Sequence, residues 1–585
     1  MQRASTDTVH VWEKVELSFT AERTYENPYT DVEMWVDLAG PGFARRIYGF
    51  WDGGGMFRVR LLATAPGQWS WTSGSIPADP GLSSRRGTFH AVGWTEAERQ
   101  QNSCRRGLLR PTANGHGLEY ADGTPCFLVG DTWWSVPTWR YRWDDDEIER
   151  PLGPQMGFKD MVRYRKRQGY NCIAMMAAFP NWANDGLPPE VRLDDEGRTC
   201  LRDAWPLPGT ASAKDMHNEG GRPFLFPGRV PGYEHVYPDM DRINPDYFRF
   251  MDRKVDYLNA QGFIPFIEAS RRDASMAWRK FHDWPASYAR YVQYVWSRYQ
   301  ANNCILSPIH FDCGYGSVSS RGFNAVANLL VEKGLPPFGT LVSCNSHGSS
   351  LVNFGDSDEA KWLTLHQIGN MRHHNSHWLL EEIHRESHPP KPAMNGEPYY
   401  VGYPPKTPIR PETEEADLYA RSGMYGSVLS GGLAGHIYGA VGLWGGDVEP
   451  AADYRMWDAL PWRSGDQMRH LATFILSEGT RYQDLVPDAD LVSPNKSHEV
   501  TGNRGWAYCT RTPEKGLFFL YFEADCPRGT VRGARYERAY RATWFDPRTG
   551  AWINAGVLMS SPLCEIALPP FPSEGDWALK LALTE

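Results

Sequence analysis

Ile305-Leu-Ser-Pro-Ile-His-Phe-Asp312 and Met394-Asn-Gly-Glu-Pro398 each read as the end of a short strand that closes on a carboxylate, Asp312 in the first and Glu397 in the second. In a barrel of alternating strands and helices, chemistry sits at the C-terminal ends of the strands. A carboxylate there is a better catalytic candidate than one on a helix or an outer turn, and a pair suggests an acid and a nucleophile. Either residue alone would be read as a solvated loop charge or a helix cap.

Around these two segments the sequence keeps a strand-then-helix rhythm. Cys126-Phe-Leu-Val-Gly, Asn171-Cys-Ile-Ala-Met-Met, Phe263-Ile-Pro-Phe-Ile, Cys304-Ile-Leu-Ser, Thr340-Leu-Val-Ser-Cys, Trp362-Leu-Thr-Leu-His, Pro392-Ala-Met-Asn and Gly435-His-Ile-Tyr-Gly are eight candidate parallel strands. Helical periodicity separates several of them, most clearly from Asp246 to Leu258 and from Ser287 to Trp296. Asn244-Pro245 opens the first of these helices with a capping side chain and a preset φ. The pattern predicts an α/β chain built on a (β/α)8 TIM barrel. Pro308 cannot donate to a ladder, so the fourth strand must end or bulge near it. The segment 183–241 is rich in Gly, Pro and charge and follows the second strand, so it is expected to cover the active-site face as a lid.

On either side the period changes to two. Val15-Glu-Leu-Ser-Phe, Val32-Glu-Met-Trp-Val, Phe57-Arg-Val-Arg-Leu-Leu and Gln68-Trp-Ser-Trp-Thr predict an N-terminal β-sandwich over 1–100. Gly516-Leu-Phe-Phe-Leu-Tyr-Phe, Tyr540-Arg-Ala-Thr-Trp-Phe and Trp577-Ala-Leu-Lys-Leu, with the turn Asp546-Pro-Arg-Thr-Gly, predict a C-terminal β-sandwich over 479–585. The barrel takes 101–478. A chain of 585 residues is too long for one core, which agrees with a division into several domains.

Composition narrows the function. With 41% hydrophobic and 22% charged residues and a formal charge of -9, the chain reads as soluble and has no basic field to hold nucleic acid. No apolar signal core opens the sequence and no run of about eighteen apolar residues follows. A cytoplasmic protein with no membrane partner is expected, or a secreted one whose leader has been removed. The ten cysteines show no disulfide or zinc spacing. Cys126, Cys172, Cys304 and Cys344 lie in apolar runs as small buried hydrophobes, and Cys313 beside Asp312 lacks a histidine partner legible in the sequence. The 24 tryptophans favour a surface on which sugar rings stack.

Gly130-Asp-Thr-Trp-Trp-Ser after the first strand, the Asp-ending fourth strand, Asn395-Gly-Glu-Pro after the seventh and Gly432-Leu-Ala-Gly-His-Ile-Tyr-Gly near the eighth resemble the apiosidase-like barrel glycoside hydrolases. The flanking β regions, including Trp544-Phe-Asp-Pro-Arg-Thr-Gly, are similar to that family's outer domains, so the resemblance covers nearly the whole chain. It implies a retaining hydrolase of an oligo- or polysaccharide, with Asp312 as acid/base and Glu397 as nucleophile. The chain departs from the family at the fourth strand, where His310-Phe311-Asp312 replaces a Gly-Gly-Asp-like ending.

Glycosidic cleavage needs one carboxyl to protonate the leaving oxygen and another to meet the oxocarbenium-like centre. Glu268, after the third strand, is the rival to Asp312 as acid, and Tyr399 and Tyr400 are candidate donors to Glu397. Asp131 could bind hydroxyls or cap the following helix. Trp133 or Trp134 could form a stacking wall, and Trp182 and Trp444 are loop aromatics on the same face. Asn181, His347, Gln367 and His436, at strand ends, could donate to hydroxyls. His373, His374 and His377 share helical spacing but lack the HExxH glutamate and a third ligand, so no metal and no cofactor is expected. A non-catalytic carbohydrate-binding protein and a metal-dependent barrel hydrolase are the competing readings. The sequence leaves the sugar, and whether the chain forms a homo-oligomer, open.

Overall fold

The computed structural model describes residues 8–178, 216–232, 234, 238–271, 275–312, 318–369, 377–398, 400–403, 410–495 and 504–584. Its centre is a sheet of parallel pairings that follow one another in chain order. Leu128–Thr132 lies between Cys172–Met176 and Gly435–Tyr438. From there the pairing continues through Ile264–Glu268 to Ile305–Ser307 on one side, and through Ala393–Glu397 to His366–Gly369 on the other. Residues 341–346 join the two ends: the Leu306 N–H donates to Leu341 O and the Ser343 N–H to Leu306 O, both 2.9 Å, while the Thr364 N–H donates to Val342 O at 2.9 Å. Strands such as Cys172–Met176 and Ile264–Glu268 are buried along their whole length, as parallel strands covered on both faces must be.

The helices form where the apolar spacing predicts them. Pro245–Ala260 buries Tyr247, Phe248, Met251, Val255 and Leu258, one stripe at intervals of three and four. Asn244 accepts from the Asp246 N–H at 3.1 Å, and Pro245 fills the position whose N–H would have no helical partner. Ala286–Tyr299 packs its aromatic face in the same way.

Three strands sit differently from their sequence positions. The first is Leu128–Thr132, because Pro125–Cys126 pairs instead with Leu118–Tyr120 in a small antiparallel sheet that also holds Leu109–Pro111. The sixth is His366–Gly369 rather than 362–366: Trp362 is buried edge-on against Phe354, and its indole donates to Asn324 Oδ1 at 2.8 Å, so that apolar stretch packs against helices instead of joining the ladder. The fifth, expected at 340–344, contributes only the isolated pairings of 341–346. At Pro308 the fourth strand does break. It ends at Ser307 and resumes at His310 and Phe311, which pair with Arg271 and Ser346.

Before the parallel sheet stand a five-stranded and a three-stranded sheet that share one core, with Val36, Ile47, Val59, Leu61, Trp69 and Phe89. After it come a six-stranded and a three-stranded sheet around Phe518, Leu520, Phe522, Trp544 and Leu579. Asp546–Gly550 turns as its sequence predicts, with the Gly550 N–H on Asp546 O at 2.8 Å. No disulfide joins the eight cysteines among the described residues to one another, and burial pushes the Cys104 and Cys126 thiols up to about 12. Cys200 and Cys313 lie outside the described residues. Among the described residues no helix is long and apolar enough to cross a membrane.

Ion pairs fasten the flanking sheets to the centre. Arg60 of the first region contacts Asp252 at 2.6 and 3.1 Å; Arg298 contacts Asp252 at 2.8 and 2.9 Å and Asp52 at 3.0 Å. At the other side Arg421 grips Asp576 at 2.9 Å through two nitrogens. Against the upward push of burial, Arg298 and Arg60 hold the Asp252 carboxyl well below the usual carboxylate range. The stability this supplies is therefore present above the unfolded value near pH 4 and is lost as pH falls through the depressed folded value. Asp252→Asn should destabilise the protein by roughly 3–5 kcal/mol, because it leaves two buried guanidinium groups short of charge. Urea unfolding at pH 7 checks this, and a midpoint equal to that of the wild type would refute it.

Candidate active site

Three carboxylates meet at the C-terminal edge of the parallel sheet. Glu268 is the last residue of Ile264–Glu268 and Glu397 the last of Ala393–Glu397. Asp312 follows the resumed fourth strand, which is held by the His310 N–H on Ser270 O (2.8 Å) and the Phe311 N–H on Asn345 O (2.9 Å). All three are buried. One oxygen of Asp312, one of Glu397 and a ring nitrogen of His310 all lie within 4.8 Å of one another.

Each carboxylate has its own partners. Glu397 accepts from the Tyr400 hydroxyl at 2.7 Å and from Asn345 Nδ2 at 3.1 Å, contacts that favour its anion. Trp134 in turn donates its indole N–H to the Tyr400 oxygen at 3.0 Å. Asp312 meets Arg271 Nη2 at 2.7 Å and Nε at 3.3 Å. Glu268 accepts from the Asn345 backbone N–H at 3.0 Å and is hydrogen-bonded to His310 Nδ1. Burial pushes the Glu268 carboxyl well above the usual range; the Asn345 N–H opposes this and the charge of Glu397 adds to it. The far side of the His310 ring, Nε2, is 3.6 Å from Asp312 Oδ2, and Trp134 meets the ring at 4.6 Å between centroids.

His310, Asp312 and Glu397 are spaced as a cation site would be, and so are Asp239, Asp241 and His282. In the first group Arg271 already brings a positive charge onto Asp312. In the second, Arg229 and Arg290 neutralise the aspartates, and His282 Nε2 accepts from the Met240 N–H at 3.1 Å. Of the predicted histidine cluster, His373 and His374 lie outside the described residues, and His377 packs against Tyr508 with Nδ1 3.4 Å from Ser427 Oγ.

The profile of the family described as apiosidase-like, catalytic domain, matches residues 112–481. The chain belongs to the apiosidase-like family. It is a glycoside hydrolase. Residues 8–75 match a domain of unknown function, DUF5060. A search of the curated proteins finds no match. Among solved structures, a candidate glycoside hydrolase of Bacteroides vulgatus aligns over 99% of this chain and 100% of its own, with 14% identity and a TM-score of 0.65. A family 5 glycoside hydrolase of the same organism aligns over 82% and 94%, with 17% identity and a TM-score of 0.55. Likenesses at these identities show the fold alone.

Several side chains that the sequence marked as sugar contacts have other work in the apiosidase-like fold. Asp131 is fully buried; it accepts from Arg165 at 2.7 Å, from the Trp133 indole at 2.8 Å and from the Thr132 N–H at 2.9 Å, so it anchors an arginine. Trp133 stacks on Tyr141 and meets Phe158 edge-on, which makes it core; its neighbour Trp134 faces the carboxylates. His436 is buried within its strand, and burial pushes its imidazole down to about 3. Gln367 is buried and donates to Ser343 Oγ at 2.8 Å. His347 is exposed at the same edge as the carboxylates, with its N–H on Phe311 O at 2.6 Å. Trp444 stacks on Tyr400 at 6.2 Å, behind the donor to Glu397. Asn181, Trp182, Tyr399 and most of 183–241 lie outside the described residues. The sequence reading missed Arg271 and Asn345. Both follow predicted strand ends, a signal that was available; what hid them is that their roles depend on a cross-strand neighbour.

Trp133→Phe should therefore lower stability by about 1–3 kcal/mol through the lost donor to Asp131 while the folded enzyme keeps its turnover, whereas Trp134→Phe, which loses the donor to Tyr400 beside Glu397, should reduce turnover roughly 10-fold. Thermal unfolding and glycoside hydrolysis of the two variants check this. The reverse pattern would exchange their roles.

Proposed function

We propose that the chain cleaves glycosidic bonds with retention of configuration, with Glu397 as nucleophile and Asp312 as acid/base. The observation that carries this reading is the approach of Asp312 to Glu397, with an oxygen of each within 4.8 Å of the other. Retaining enzymes hold their carboxyl groups about 5–5.5 Å apart, while inverting enzymes leave roughly 6.5–9.5 Å for a water. The partners divide the roles: Tyr400 and Asn345 stabilise an anion at Glu397, ready to attack, while Asp312 stands beside a histidine that can exchange protons with it.

In the first step Glu397 attacks the anomeric carbon as Asp312 protonates the departing oxygen. In the second, water adds at that carbon and Asp312 takes its proton, so that both carboxyls return to their starting states. The substrate is an oligo- or polysaccharide whose terminal sugar or short segment enters from the C-terminal edge. Residues 101–478 form, in this reading, a closed (β/α)8 barrel, with sandwich domains 1–100 before it and 479–585 after it. Of the sequence candidates, His347, exposed at the carboxylate edge, remains one for the surrounding subsites, as do Asn181 and Trp182, which lie outside the described residues.

Leaving-group chemistry separates the two carboxylates. Glu397→Ala should abolish turnover on every substrate, with azide restoring some activity and an inverted product. Asp312→Ala should lose roughly 100-fold or more on natural glycosides yet still form the covalent intermediate from nitrophenyl glycosides, and azide should speed its release with retention. Product stereochemistry by NMR and the two rate ratios decide the matter. Full activity of Asp312→Ala on a natural glycan would falsify the acid assignment.

A further inference from the structure

We propose that Glu268 stores the proton that Asp312 delivers to the leaving group, and that His310 passes it between them. This rests on Asp312 being the acid. That role sets a problem, because Arg271 contacts both oxygens of Asp312 and a guanidinium so placed favours the ionised carboxylate. An acid held this way needs a nearby source for its proton. Glu268 is placed to be that source: it has no exposed surface, no arginine or lysine touches it among the described residues, and burial together with the charge of Glu397 favours its neutral form.

The His310 ring stands between the two carboxyls. Nδ1 is hydrogen-bonded to Glu268 Oε2, and Nε2 is 3.6 Å from Asp312 Oδ2, a small approach short of a hydrogen bond. The ring cannot turn freely, since its backbone N–H is tied to Ser270 O and Trp134 packs against its face. Among the described residues, the titratable and charged groups around the relay include Arg271 on Asp312, Glu397 near Glu268, Tyr400 on Glu397, and the thiol of Cys344 and hydroxyl of Tyr288 near Glu268. Burial holds Cys344 and Tyr288 neutral by pushing both well up from their ordinary values.

The transfer balances. With Glu268 protonated, its O–H donates to Nδ1 and the imidazole carries its own hydrogen on Nε2. As Nε2–H gives its proton to Asp312, Nδ1 takes the proton of Glu268, so the imidazole is neutral before and after and the negative charge moves from Asp312 to Glu268. Protonation of the leaving oxygen returns Asp312 to its anion. In the second step Asp312 takes a proton from the attacking water, and the reverse relay restores Glu268. Glu268 and His310 have almost no surface for a sugar to reach, so they act through Asp312 as positioning and proton-storing residues, not catalytic ones. The structure thereby gives a use to the histidine at which this chain departs from the Gly-Gly-Asp-like ending.

Glu268→Gln tests the idea with little change of shape, since an amide can still donate to Nδ1 and accept from the Asn345 N–H but has no proton to release. For substrates with poor leaving groups, kcat at pH 7 should fall roughly 10-fold or more and the alkaline limb of the pH profile should move to lower pH, while dinitrophenyl glycosides should form the intermediate at the wild-type rate. His310→Phe should reproduce both effects. Coincident pH profiles for the wild type and Glu268→Gln would overturn the proposal. A second arm needs no turnover: infrared difference spectra of wild type against Glu268→Gln at pH 7 should show a protonated-carboxyl band that shifts in D2O, and its absence would overturn the store. Should Asp312→Ala keep full activity while that band is present, the failure lies with the acid assignment and not with the stored proton at Glu268.

Discussion

Placing three carboxylates together away from water is the constraint from which the rest of the site follows. An isolated buried carboxylate is costly, and each close neighbour of like charge raises that cost. The apiosidase-like chain meets it with a different device at each residue: a guanidinium at Asp312, two neutral donors at Glu397, and a backbone N–H with an imidazole at Glu268. Asn345 serves two of them at once, its backbone turned to Glu268 and its side chain to Glu397. That double use explains why residues 341–346 hold their place on two isolated pairings and a few backbone bonds rather than on a full ladder. The bonds a longer strand would have made are partly replaced by the bonds of Asn345 to Glu268 and Glu397.

Much of this was legible in the sequence, and for physical reasons. Parallel strands covered on both faces are short apolar runs, so seven of the eight predicted segments fall on or within a few residues of strands with the expected order. Asp312 and Glu397 could be picked out because strand ends are where a barrel presents side chains to solvent. What failed was the facing of side chains. Trp133 and Trp134 are adjacent and identical, and only the fold decides that one supports Asp131 while the other reaches Tyr400. Asp131 looked like a sugar ligand until Arg165, distant in sequence, took its oxygen. Pro308 was informative because a missing donor is a local fact, whereas the shift of the sixth strand to His366 depends on where Trp362 finds its cavity.

The flanking sheets bear on the site through the helices rather than through the pocket. Arg60 reaches Asp252 and the Arg298 carbonyl, which lie on the helices that precede the third and the fourth strand, and Arg421 joins the helix after Glu397 to Asp576. Buried ion pairs of this type add little net stability over apolar packing, but they are directional, and removing one partner strands the other. Their effect is to fix the angle at which an outer sheet meets a helix, and so to limit how far the strands bearing Glu268 and Glu397 can shift.

The break at Pro308 makes chain length matter as much as residue identity. Beyond it, His310 returns to the third strand in the register that Ser307 left, yet Phe311 meets Ser346 one residue out from the register that joins Leu306 to Val342. The fourth strand thus carries one extra residue, a bulge, on the side of 341–346. Because side chains alternate along a strand, loss of that single residue would carry Asp312 into the place now filled by Phe311, between the rings of Phe323 and Phe354. A carboxylate would then face a hydrocarbon wall and the pocket would receive a phenyl ring. On this frame a substitution changes one pocket wall, whereas an insertion or deletion at this point in the chain exchanges every side chain that follows between pocket and core.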